Sequence, residues 1–239
     1  MNSVKLIAMT QPMIRSEDGG GDMNQLNIGE FIAYCARVSN PSNQSNSMTA
    51  SKLLKYLLKN KHFSPFEMAN LVMEVQTTRD IARQILRHRS FTFQEFSQRY
   101  ADPTKDLGFE LREARLQDPK NRQNSIEGVD SQIVDVWERM QSNAIAEANK
   151  AYGWAINNGI AKEQARSVLP EGLTVSRMYM NGTVRSFLHF IQVRHHPAAQ
   201  KEIRLIAESM MNELIKVFPM LKELFEEMIV ENYNSGNNK

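Results

Sequence analysis

The stretch from Arg79 to Tyr100 gathers groups that bind anions. Arg79, Arg83 and Arg87 are spaced four apart, so on a helix they line one face. The end of that helix delivers Arg87, His88 and Arg89 together. Gln94, Glu95, Ser97, Gln98 and Arg99 follow, nearly all of them hydrogen-bonding, with Phe91, Phe93 and Phe96 interleaved. A basic helix face is usually solvated and contributes little energy. Here the interleaved aromatics argue for packing, and a partly buried guanidinium needs an acceptor. Glu95 can serve one arginine. Phosphate oxygens suit the others, because the planar fork of arginine matches them. A nucleotide answers this description, with phosphate at the arginine end and a base among the amides and hydroxyls.

Other reactive side chains read more plainly. Ser97 has no local base and lies in no Gly-x-Ser-x-Gly turn, so it is expected to bind a ligand rather than attack one. Cys35 is the single cysteine, which excludes an intrachain disulfide and fits a reducing compartment. It reads as a small buried residue. His189, His195 and His196 lack the His-Glu-x-x-His spacing, so no metal is expected. His88, flanked by two arginines, should resist protonation through like-charge repulsion. Met210, Met211, Met220 and Met228 read as core or subunit interface.

The elements that must position these groups point to an α+β fold, an antiparallel or mixed sheet with a large helical portion from about Ser131 onward. Strands are expected at Val4 to Met9, Leu71 to Gln76 and Leu173 to Met180, where apolar and polar residues alternate. Gly19 to Asp22 reads as a loop. Thr49 is expected to cap a helix carrying Leu53, Leu54, Leu57 and Leu58. Arg79 to Arg89 reads as a helix. Ala101 to Val129 reads as extended chain and loop, with one short strand near Leu107 to Leu111. Helices are expected over Ser131 to Ile156, Ala161 to Val168 and Thr183 to Val193. Another should hold Pro197 in its first turn, and a last one should start near Pro219. Residues 1–231 are expected to form a single catalytic domain and 232–239 a frayed tail.

Bulk properties narrow the function. The chain has 239 residues, 41% hydrophobic and 23% charged, which are ordinary globular values. Its formal net charge of +2 and the lack of a nucleic-acid motif count against a helical RNA or DNA binder built on the Arg79–Arg99 patch. No apolar run is long enough to span a bilayer, and the N-terminus lacks a signal-peptide core, so a cytoplasmic location is expected. No Gly-x-Gly-x-x-Gly follows a strand, which removes a dinucleotide-binding fold of that type.

Arg87-His88-Arg89, seven residues, then Ser97-Gln98-Arg99-Tyr100 resembles the signature of the flavin-dependent thymidylate synthases. Ala36 to Ser39, His62 to Glu67, Ala165 to Pro170, Arg185-Ser186, Arg194 and Ala199-Gln200 resemble further blocks of that family. The resemblance implies methylation of dUMP to dTMP, with methylenetetrahydrofolate as carbon donor, FADH2 as hydride donor and NADPH regenerating the flavin. It also implies a homotetramer whose active sites are shared between subunits. Carried over residue by residue, it assigns dUMP to Gln84, Arg87, Glu95, Phe96, Ser97, Gln98, Arg99, Arg166 and Arg194. Arg194 is the expected catalytic group, placed against the N3 and O2 edge of uracil. FAD falls to Ser64, Arg87, His88, Arg89, Glu95, Arg185 and His189, with His62 and Glu67 nearby. The chain departs from the family at Thr183 and His189, where relatives carry asparagine, and at Gln94. A lone Cys35 does not resemble the nucleophile of the other thymidylate synthase class. A relative that keeps the fold without turnover is disfavoured by the presence of Arg87, Ser97, Arg166 and Arg194.

Overall fold

The computed structural model describes residues 3–14 and 26–236, so the expected loop at Gly19 to Asp22 lies outside the described residues. Strand β1 (Ser3–Met9) is followed by α1 (Ile28–Ala36), which opens on a capping box between Asn27 and Glu30. Next comes α2 (Ala50–Lys59), with Leu54, Leu57 and Leu58 buried. Thr49 occupies the N-cap of α2 but makes no cap bond, because its hydroxyl accepts from Arg37 Nη2 at 2.7 Å. After a 3₁₀ turn at Ser64–Glu67, β2 (Asn70–Thr78) buries Leu71, Met73 and Val75 on one face.

Helix α3 (Arg79–Leu86) is shorter than the spacing predicts. Arg87 is its C-cap, so Arg87, His88 and Arg89 stand on the turn that leaves it. Strand β3 (Thr92–Glu95) follows. Between Ala101 and Val129 lie a one-turn helix α4 (Pro103–Asp106) and a small hairpin, β4 (Leu116–Gln117) with β5 (Ser125–Ile126). The strand expected at Leu107 to Leu111 is reduced to one bridge, Phe109 to Thr174. Asp102 caps α4, and Asp118 ties the hairpin turn through Lys120 N, Asn121 N and Asn124 Nδ2.

Helix α5 (Ser131–Asn157) ends at Gly159, which takes a φ of +78°. Helix α6 (Lys162–Ala165) runs into a 3₁₀ turn, Arg166–Val168. Strand β6 (Val175–Thr183) passes directly into α7 (Val184–Arg194), where the Thr183 hydroxyl caps Ser186 N at 3.1 Å. Helix α8 (Lys201–Val217) begins after Gln200, so Pro197 is not in its first turn. It stands in a preceding turn closed by Ala199 N to His196 O, 2.8 Å. Helix α9 (Leu221–Gly236) carries helical backbone through residues expected to fray.

Four strands form one antiparallel sheet in the order β1-β2-β6-β3, giving an α+β fold. Buried side chains of the sheet, α1, α2, α3, α7 and α8 share one core. In the β2–β6 pair, Thr78 lies opposite Val175 and Asn70 opposite Thr183. Each strand turns into its helix without a loop, so α3 and α7 leave from opposite ends of the pair. The two helices rise about 12 Å and 16 Å, together close to the span of a nine-residue strand. Their C-terminal ends therefore meet.

Phe91 anchors the segment between α3 and β3. Its ring meets Phe187 edge-on at 4.9 Å and lies against Gly182, where an added Cβ would come within 2.4 Å of the ring. Gly182→Ala is expected to displace the buried Phe91 and destabilise the protein by about 1–3 kcal/mol. The urea midpoint of the purified variant measures this, and an unchanged midpoint would mean the ring moves freely.

Candidate active site

The site starts where α3 and α7 meet. Two helix C-termini place negative partial charge and unpaired carbonyls together, which favours cations there. Arg194, half-buried at the end of α7, answers with two bonds. Its Nη2 donates to Gln84 O at 3.1 Å and its Nε donates to His88 Nε2 at 2.8 Å. Nε of arginine is always a donor, so His88 Nε2 must accept, and the imidazole is neutral with its proton on Nδ1. The His88 pKa is pushed down to about 4, first by burial, then by the Arg194 charge and by His189. The sequence pointed to Arg87 and Arg89 for this effect, but both are exposed and burial dominates. Burial also lowers the Arg194 pKa. The His88 ring packs on Phe190 with centroids 4.7 Å apart.

Gln84 is oriented from the far side. Its Nε2 donates to Gln200 Oε1 at 2.8 Å, leaving its own Oε1 as an acceptor. Arg194 Nη1 makes no bond among the described residues. One arginine fork and one amide oxygen are thus held ready at the same place.

A second group forms around the turn after β3. The Ser97 carbonyl accepts from Tyr100 N and Ala101 N, both at 3.1 Å. Lys162 Nζ donates to Tyr100 O at 2.8 Å, and Arg99 Nε pairs with Glu163 at 3.3 Å. These bonds dock the turn beside α6 and so beside Arg166 at its end. Gln98 is buried, and its Nε2 has no hydrogen-bond partner. An unmet buried amide donor costs roughly 1–3 kcal/mol, which a ligand acceptor would relieve. Glu95 accepts from Ser176 Oγ at 2.7 Å and lies 3.6 Å from Arg79 Nη1, and half-buried Phe96 donates its N–H to Arg177 O at 2.8 Å.

A third group lies at the start of α7. Thr183 Oγ1 donates to Glu67 Oε2 at 3.0 Å, and Glu67 Oε1 pairs with Arg185 at 3.4 Å. Glu67 closes the turn that begins at Ser64. Arg185 and His189 line a cavity of about 360 Å³ with Lys59, Lys61, Phe63 and Leu188, and α9 adds Phe225 and the carboxylates Glu227 and Glu231. Exposed His62 sits beside it in sequence, its ring edge-on to Tyr56. Cations around apolar walls suit a flavin nucleotide, whose diphosphate is anionic and whose rings are flat.

The structure gathers Gln84, His88 and Arg194 into one cluster. It ties Arg99 to α6, at whose end Arg166 stands, pairs Glu67 with Arg185, and puts Arg185 and His189 in one cavity. Within one chain, no bond joins Arg194 to the Ser97–Arg166 group. Arg79 and Arg83, aligned with Arg87 by spacing, are engaged by Glu95 and Glu171. Phe91 and Phe93 pack as expected, but Arg87 and Arg89 are exposed because α3 stops at Leu86, and Arg99 is exposed on the turn after β3. Ser176, Glu171 and Glu163 escaped the sequence reading. They reach the site only through sheet register and helix docking, which leave no local signal.

Residues 24–220 match the family model described as Thymidylate synthase complementing protein. The chain belongs to this family. A probable flavin-dependent thymidylate synthase of Paramecium bursaria Chlorella virus 1 is 42% identical over 224 residues, covering 94% of this chain and 99% of that relative. A flavin-dependent thymidylate synthase of Synechocystis is 43% identical over 223 residues, covering 93% and 99%. A UMP/dUMP methylase PolB from Streptomyces cacaoi bound with 5-Br dUMP superposes with a TM-score of 0.76 at 25% identity, covering 95% of each chain. Among the described residues, no group of three or more His, Cys, Asp and Glu could hold a metal ion.

The depressed His88 pKa has a consequence for stability. The unfolded chain protonates His88 near pH 6.5 and the folded chain near pH 4, so the unfolded state binds more protons in that window. Stability from this group is complete above about pH 6.5 and falls as pH drops toward 4. Ring NMR should show His88 neutral at pH 5.5, and His88→Gln should flatten this part of the stability–pH curve. A His88 titration near 6.5 would contradict the buried acceptor role.

Proposed function

We propose that this chain is a flavin-dependent thymidylate synthase, converting dUMP to dTMP by reductive methylation. The observation that carries the reading is the Arg194 fork, held by His88 and Gln84 with Nη1 left open, in a chain of this family. Arg194 lies against the N3 and O2 edge of uracil and stabilises negative charge on the ring, which makes C5 the nucleophile. Gln84 Oε1 accepts from the uracil N3–H, because its Nε2 is engaged by Gln200. Ser97, Arg99 and Arg166 hold the nucleotide phosphate, and Gln98 Nε2 finds its missing acceptor on the substrate. Arg87, Glu95 and Phe96 complete this binding set.

FAD is held by Ser64, Arg185 and His189 with Arg87, His88, Arg89 and Glu95, while His62 and Glu67 stand beside it. When bound and reduced, it supplies the hydride that completes the methyl group. Thr183 replaces a direct amide contact with an indirect one, by fixing the Glu67 carboxylate that orients Arg185. Methylenetetrahydrofolate brings the carbon, and NADPH restores the reduced flavin.

The enzyme works as a cytoplasmic homotetramer with shared active sites, residues 1–231 of each subunit forming a single catalytic domain. Two features support sharing. Arg87, Arg89 and Arg99 are exposed in the isolated chain, as an incomplete site would leave them. Helix α5 also exposes Val136, Met140 and Trp154, apolar side chains that a second copy would cover. Among the described residues no helix is long and apolar enough to cross a membrane.

Purified protein is expected to be yellow and to bleach with NADPH under anaerobic conditions. With reduced deuterated flavin, dUMP and methylenetetrahydrofolate, deuterium should appear in the methyl group of dTMP. Arg194→Ala should retain flavin absorbance while turnover falls by roughly 10²-fold or more. Colourless protein, or normal turnover in Arg194→Ala, would overturn the reading.

A further inference from the structure

The Gln200 side chain that orients Gln84 also forms part of the wall of a second cavity, of about 540 Å³. One side of this cavity is the β4–β5 hairpin, which presents Arg115 and Arg122. The start of α8 contributes Lys201 and Arg204 to the lining. Glu113 is the only carboxylate in the lining. Trp137 of α5 supplies a flat apolar wall, fixed by its Nε1–H donating to Arg112 O at 3.0 Å.

The four cations differ in how they are engaged. Arg115 is bound to Glu202, and Lys201 pairs with Glu113 at 2.8 Å and Glu127 at 2.7 Å. Those pairs brace the cavity. Arg204 makes only a long contact to Pro197 O at 3.5 Å, and Arg122 has no acidic partner among the described residues. Two guanidiniums from different segments of the lining are therefore open to an anion. The hairpin turn that carries Arg122 is not slack. Asp118 accepts from Lys120 N, Asn121 N and Asn124 Nδ2, and these bonds hold its carboxyl below the usual range.

We propose that this cavity binds the anionic γ-glutamyl tail of the folate co-substrate, outside the site that holds the nucleotide and flavin. The inference rests on the thymidylate synthase reading given above. The donor pattern selects the ligand. A compact phosphate asks for donors that converge on one point. Here the open cations come from two separate segments, the hairpin and the start of α8, and the amide of Gln123 joins them in the lining. That arrangement suits a flexible chain with several carboxylates and peptide groups. The indole of Trp137 gives the aminobenzoyl ring at the head of the tail an apolar surface. The Gln84–Gln200 bond places the cavity next to the Arg194 cluster, as a co-substrate reaching both places requires.

The test uses the flavin-loaded enzyme and measures KM for methylenetetrahydrofolate carrying one or five glutamates. Wild-type enzyme should prefer the longer tail by about tenfold, which corresponds to roughly 1.4 kcal/mol. Arg122→Ser and Arg204→Gln should each reduce that ratio severalfold, with kcat unchanged. Arg122 is exposed, so its replacement leaves the fold intact. A wild-type enzyme indifferent to tail length, or variants that keep the full preference, would overturn the proposal. The KM ratio of NADPH to NADH in the same variants separates the other anionic source. If that ratio shifts while tail preference stays, the cavity takes the 2′-phosphate of the reductant, and the folate assignment is wrong. Failure of the thymidylate synthase reading itself would appear differently, as no dTMP formed with either folate.

Discussion

The site depends on a neutral histidine accepting a hydrogen bond from an arginine. Two helix C-termini converge where α3 meets α7, and their carbonyls draw the Arg194 guanidinium inward. Once there, its Nε–H needs a second acceptor, which His88 provides only while its Nε2 is unprotonated. Burial against Phe190 keeps it so. Orientation of the fork, its open Nη1 and the tautomer of His88 are one coupled arrangement, so changing any member changes the others.

The sheet makes that meeting possible. Strands β2 and β6 are the same length and run antiparallel, and each turns directly into a helix. The helices start at opposite ends and end face to face. Strand β3 then adds at the edge beyond β6, pinned by Phe91 against Gly182 and Phe187. This brings Glu95 to Ser176 and carries the Ser97–Arg99 turn to α6. The Gln84–Gln200 bond extends the same order outward to α8 and the basic cavity. The three groups proposed to serve substrate, cofactor and co-substrate thus share one frame.

Much of the fold was readable in advance. Alternation exposed β2 and β6, and helical spacing exposed α2, α5 and α7. The errors have physical causes. Thr49 stands at a helix start, yet its hydroxyl is taken by Arg37, a contact from another element. The strand expected near Leu107 pairs only around Phe109, through Glu110 N to Leu173 O and Val175 N to Gly108 O, because α4 runs to Asp106 and leaves too little chain for a longer ladder. Pro197 pointed to a helix start, but the turn closed by His196 comes first.

Residue types and their order determined by themselves that this chain carries an arginine-rich, nucleotide-suited segment and an α+β pattern, because periodicity and functional-group chemistry are local properties. Only the tertiary structure decided which arginines are available. Arg79 and Arg83 are neutralised by Glu95 and Glu171, Arg194 is aimed by His88 and Gln84, and Arg87 and Arg99 face outward. Spacing cannot reveal this, since a guanidinium takes its role from the acceptor that reaches it, and those acceptors lie up to 110 positions away along the chain.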